Sequence, residues 1–101
     1  MISDKLNDAL NGQINAELYS SYLYLSMSAW FSTRSLPGFA TWMRCQAQEE
    51  LFHATKMFDY LNERGGTVVL EAIAKPDALE RALDAFNAVG KEFGLIHGRP
   101  K

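Results

Sequence analysis

The chain has 101 residues, 48% of them hydrophobic, and a formal charge of −2 from ten basic and twelve acidic side chains. That is one small globular domain, too apolar for disorder and, with no basic run, unsuited to nucleic acid. Its single cysteine, Cys45, excludes an intrachain disulfide, and MISDKLND lacks the apolar core of a secretory leader, so a soluble cytoplasmic protein is expected.

Ser3 and Asp4 both suit an N-cap, and apolar residues then recur at spacings of three and four, which predicts a helix to about Phe31. Its inner stripe is Leu6, Leu10, Ile14, Glu17, Ser21, Tyr24, Ser28 and Phe31. Leu18, Tyr22, Leu25 and Ala29 form a second stripe, and a helix apolar on two sides is usually buried on two sides, which hints at a neighbouring subunit. This region, LYSSYLYLSMSAWF, is too short and too rich in serine to span a bilayer.

STRSLPG interrupts the pattern. Ser35 can cap, and Pro37 suits the first turn of a second helix, which runs from about Leu36 to Arg64 and stops at Gly65 and Gly66. Its inner stripe is Phe39, Met43, Gln46, Glu50, His53, Met57 and Tyr60. Each helix is about 42 Å long, and the short connection makes the pair an antiparallel hairpin. TVVLEAIAK, residues 67–75, reads as extended. Its length of about 30 Å would let it run back along the bundle.

Asp77 and Glu80 form a capping box for a shorter third helix with the stripe Leu79, Leu83, Phe86, Val89 and Phe93, before a loose tail at HGRPK. The expected fold is all-α: a helical hairpin with its extended connection over residues 1–76, and a third helix with its tail over 77–101.

Two carboxylates and an imidazole interrupt the inner stripes. Glu17 lies mid-way along the first helix, and Glu50 and His53 lie mid-way along the second, so the antiparallel hairpin brings all three to one level. Two buried carboxylates are costly unless something positive sits between them, and a cation is the simplest such thing. Mixed carboxylate and imidazole ligands suit iron or manganese better than zinc. A Glu-x-x-His pair by itself is more commonly a solvated surface pair; the match in level with Glu17 is what points to metal. Helical bundles that hold two metals take Glu from each of two helices and Glu-x-x-His from each of two others, and one chain here offers half of that set. Tyr24, two turns beyond Glu17, reads either as a core tyrosine or as a group that hydrogen-bonds a ligand or donates an electron. Cys45 reads as a small buried hydrophobe, and His97 is assigned nothing.

NAELYSSYLYLSMSAWF, LPGFATWMRCQAQEELFHATKMFDYLNERGG and VVLEAIAKP together resemble the prokaryotic non-haem ferritins, almost continuously over residues 1–76. The resemblance implies an iron-storage protein whose ferroxidase centre binds two irons and oxidises Fe²⁺ with O₂ or peroxide. Glu17 would be a terminal ligand, Glu50 the bridging carboxylate, His53 the imidazole on one iron and Tyr24 the nearby tyrosine. Glu49 matches a residue that contributes to a third iron site in some bacterial members. Manganese or zinc could substitute at the same ligands.

Past Pro76 the chain departs from the family. Lys91 falls near an expected ligand carboxylate, with Glu92 beside it, and neither takes a metal role. DALERALDAFNAVGKEFGLI also resembles the closing helix of pyridoxal-phosphate-dependent α-oxoamine synthases, but no catalytic residue comes with it. A chimeric, rearranged or truncated chain would account for both likenesses.

A helix pair with two apolar faces cannot hide them alone. A twofold homodimer would close a ferritin-like four-helix bundle and bring together four carboxylates and two imidazoles. The expectation is thus a di-iron dimer, or an assembly of dimers, over a hollow storage shell. The rival from another class is a non-catalytic oligomerisation module that binds metal poorly, and a third reading is a hairpin that docks a partner through Trp30 and Trp42.

Overall fold

The computed structural model describes residues 2–76 together with Leu83 and Asp84. Two α-helices dominate, α1 over Asp4–Thr33 and α2 over Pro37–Glu63, packed as an antiparallel hairpin. Helix α1 starts at Ser3, whose Oγ accepts the Leu6 N–H at 3.2 Å, and Asp4 places a negative charge in the first turn, where the helix dipole favours it. Helix α2 starts with Pro37 in its first turn, as expected, but its N-cap is Leu36, which makes no side-chain cap.

Ser35 has a different task from the capping role read from the sequence. Both helices close with the same paired turn. In α1 the N–H of Leu36 reaches Phe31 O at 3.0 Å and that of Ser35 reaches Ser32 O at 3.3 Å. In α2 the N–H of Gly66 reaches Leu61 O at 2.8 Å and that of Gly65 reaches Asn62 O at 3.5 Å. This arrangement needs a left-handed residue just past the helix end, and φ is +75° at Gly65 but +56° at Ser35. Serine accepts there a conformation that glycine adopts freely. In return Leu36 is carried onto the cluster around Phe31.

The seam between the helices repeats every seven residues. Helix α1 gives Leu10, Ile14, Glu17, Ser21, Tyr24, Ser28 and Phe31; α2 gives Ala40, Met43, Ala47, Glu50, Ala54, Met57 and Leu61, every one of them buried or half-buried. The α1 stripe matches expectation except at Leu6, which is exposed. The α2 stripe is rotated from the expected one: Ala40, Ala47, Ala54 and Leu61 take the centre, while His53 and Tyr60 are exposed. The cause is size. Alanine opposite serine lets the backbones approach until Ser21 Oγ–H reaches Ala47 O at 2.7 Å and Ser28 Oγ–H reaches Ala40 O at 2.6 Å. These two bonds lock one register between the helices, and they satisfy hydroxyls that burial would otherwise leave without a partner.

Among the described residues the core is divided into two parts. One cluster holds Met27, Phe31, Ala40, Met43 and Leu83, at the hairpin turn. The other holds Ile14, Ala54 and Leu61, with Leu10, Met57 and Val68 packed against it, at the open end. Between them the seam carries Glu17, Ser21, Ala47 and Glu50.

Residues 66–76 have no regular secondary structure and run back along the hairpin, as their length suggested: Val68 packs at the open end and Leu83 at the turn end. Asn7 and Asn11 hold the start of this strap. Asn7 Oδ1 accepts the Thr67 N–H at 2.9 Å, Asn11 Nδ2 donates to Thr67 O at 2.8 Å, and Asn11 Oδ1 accepts the Val69 N–H at 2.8 Å. Two asparagines one helical turn apart thus stand in for a neighbouring strand. Gly66 lets the strap come this close, because a Cβ there would lie 2.6 Å from Asn7 Oδ1. Of the expected third helix, Leu83 and Asp84 are helical and Leu83 is buried; the remainder of 77–101, with Lys91, Glu92 and His97, lies outside the described residues.

Two outcomes follow. Ser35→Gly relieves the left-handed strain and should raise unfolding stability by about 0.5–1 kcal/mol, read as a higher urea midpoint at unchanged slope. Asn11→Ala removes two of the three side-chain links to the strap backbone and should cost about 1–2 kcal/mol, with faster hydrogen exchange at the Val69 amide than at amides within α2.

Candidate metal centre

Glu17, Glu50 and His53 converge: one ligand atom from each lies within 4.8 Å of the others. His53 Nδ1 is 3.8 Å from Glu17 Oε2 and 3.9 Å from Glu50 Oε2. The register lock explains the meeting. Glu17 stands one turn before Ser21 on α1, and Glu50 about one turn after Ala47 on α2, so the Ser21–Ala47 bond brings the two carboxylates level. His53 follows Glu50 by three residues, which puts both side chains on neighbouring positions of one helical face.

The sequence reading places the three groups in the interior of a four-helix bundle; in the hairpin by itself they are partly exposed. The side chains of Glu17 and Glu50 are 18% and 22% exposed, and that of His53 is 54% exposed. The carboxylates fill seam positions, whereas the imidazole stands at the edge of the two-helix layer and closes over them from outside. Two carboxylates this close repel one another when nothing positive sits between them. A cation, or a protonated imidazole, in their midst reverses that sign. Two oxygen donors and one nitrogen could hold part of the coordination shell of an ion of intermediate hardness.

Gln13 belongs to this site and was not singled out in the sequence. Its Nε2 donates to Glu17 Oε1 at 2.8 Å. The signal was present in the four-residue spacing of Gln13 and Glu17, which places the amide over the carboxylate on any helix. Tyr24 is half-buried and packs against the turn-end cluster with Met27 and Phe31. Glu49 is exposed and stands outside the group of three. Cys45, read as a small buried hydrophobe, is an exposed free thiol, since the rotated seam turns it outward.

Comparison with known proteins places the chain in a family. The family model for the ferritin-like domain matches residues 7–97. A bacterial non-heme ferritin of Bacteroides fragilis is 52% identical over 73 residues, covering 72% of this chain and 46% of that protein. A bacterial non-heme ferritin of Escherichia coli is 40% identical over 84 residues, covering 83% of this chain and 51% of that protein. The chain thus spans about half the length of the curated relatives it matches. Among solved structures, a humanised archaeal ferritin superposes with a TM-score of 0.75 at 49% identity, covering 93% of this chain and 63% of that one. The open-pore ferritin of Archaeoglobus fulgidus gives 0.73 at 40% identity, covering 94% and 72%. Among the described residues no helix is long and apolar enough to cross a membrane. The two-helix layer that carries Glu17, Glu50 and His53 is a ferritin layer, and this chain belongs to the ferritin-like domain family.

Proposed function

We propose that this chain binds iron through Glu17, Glu50 and His53 and that two copies, paired as a homodimer or an assembly of dimers, oxidise Fe²⁺ at a shared di-iron ferroxidase-type centre in iron storage or detoxification. The observation that carries this reading is the meeting of two carboxylates and an imidazole within 4.8 Å, at the level where the apolar seam gives way. Membership among ferritins supports iron as the cation. Fe²⁺ is then the substrate: two Fe²⁺ give up two electrons, and O₂ takes them with two protons to form H₂O₂, or H₂O₂ takes them with two protons to form two waters.

Each residue has a part in this scheme. Glu17 is a terminal ligand, Glu50 bridges two cations, and His53 supplies the nitrogen to one of them. A second copy raises the ligand set to four carboxylates and two imidazoles, that of the di-iron helical bundles. Exposed Tyr22, Leu25, Leu51 and Phe52 support the pairing, since large apolar side chains open to water favour association. Tyr24 is the nearby electron donor and Glu49 an accessory ligand outside the central group. Manganese or zinc would occupy the same donors. A cytoplasmic location, where Fe²⁺ and the exposed thiol of Cys45 stay reduced, fits this chemistry.

The same exposed apolar residues favour the rival reading, an oligomerisation module with little metal binding. Glu50→Ala separates the two when oxygen consumption is followed after anaerobic loading with Fe²⁺. On the ferroxidase reading the wild-type saturates at about one iron per chain and the variant falls to the rate of iron in buffer alone. On the module reading the wild-type shows no stoichiometric uptake, and the variant keeps its helical oligomer or firms it, because a charge has left the seam.

A further inference from the structure

Glu17 is held from one side only. Gln13, one turn earlier on α1, donates Nε2–H to Glu17 Oε1 at 2.8 Å, while Oε2 of the same carboxylate faces His53 Nδ1 at 3.8 Å. The two oxygens therefore have different partners. A glutamate's last torsion is broad and roughly two-fold, so an unrestrained carboxylate presents either oxygen, or both at once, to a cation. The bond from Gln13 takes one of the two lone pairs of Oε1 and so leaves that oxygen the poorer donor to a cation.

We propose that Gln13 is a positioning residue that engages Oε1 and so biases Glu17 toward one-oxygen ligation, with Oε2 aimed at the cation shared with Glu50 and His53. The proposal rests on the metal reading of this site. In the absence of cation the contact is a modest one, an exposed pair one turn apart on a helix. Its value appears on binding, when the carboxylate has already surrendered its rotational freedom and its second oxygen is already satisfied.

Gln13→Met keeps the length of the stem and the helix propensity but has no N–H to give. The full chain and this variant are titrated with Zn²⁺ by calorimetry, and the carboxylate stretches are recorded by infrared difference with and without Zn²⁺. The expected result is a fall of about 10-fold in Zn²⁺ affinity with unchanged circular dichroism. The separation between antisymmetric and symmetric stretches should narrow as Glu17 turns to chelation, and that narrowing should vanish when Glu17→Ala is added. Gln13→Leu, equally unable to donate, should behave alike. Equal affinity and equal spectra in wild-type and Gln13→Met overturn the positioning role and leave the metal reading standing. A wild-type chain that takes up neither Zn²⁺ nor Fe²⁺ overturns the metal reading and this proposal with it.

Discussion

Two carboxylates occupy core positions of a helix seam, and the rest of the hairpin is arranged around that fact. Glu17 and Glu50 stand where the seven-residue repeat calls for apolar side chains, at one level, with ligand atoms close enough to repel. Among the described residues the apolar core is consequently not one body but two, a cluster at the turn and a cluster at the open end, with the polar layer between them. Each cluster anchors one end of the helix pair, so the helices stay aligned across a level that contributes little cohesion of its own. A protein selected for stability alone would place leucine at both positions.

What holds the polar layer level is backbone proximity. Alanine on α2 and serine on α1 bring the helices close enough for hydroxyl-to-carbonyl bonds at Ser21–Ala47 and Ser28–Ala40. Larger residues at either position would separate the helices and shift Glu17 against Glu50. The matched turns that end both helices, and the strap fastened by Asn7 and Asn11, fix the ends in the same way. Rigidity thus comes from short polar bonds at small residues and from the two apolar clusters. The layer between them is left free to serve chemistry.

Much of this was legible in the residues. The Ser3 cap, Pro37 and the Gly65–Gly66 stop gave the helix ends within two residues, and the inner stripe of α1 was correct beyond Leu6. The convergence of Glu17, Glu50 and His53 followed from an antiparallel register alone. The α2 face was harder to read, because large apolar residues outweigh alanine in any hydrophobic pattern, yet alanine is what close packing selected here. Tyr60 and His53 were drawn into the stripe on that account, and Cys45 into the core. Ser35 in the left-handed region was hidden too, since serine is a common cap and glycine the expected left-handed residue. The strap links of Asn7 and Asn11 depend on contacts nearly sixty residues apart in sequence, which no local pattern carries.

The proposed chemistry needs what one hairpin lacks, a second set of ligands facing the first. Membership of the ferritin-like family, the meeting of Glu17, Glu50 and His53 and the apolar residues left exposed all bear on the same account, two chains around one pair of cations. Native mass spectrometry of the chain loaded with Fe²⁺ under anaerobic conditions tests it most directly, because subunit count and metal count are read from one ion. The account predicts dimers, or multiples of dimers, carrying two irons per pair of chains. Monomers that hold iron on their own, or dimers that form and remain metal-free, would contradict it.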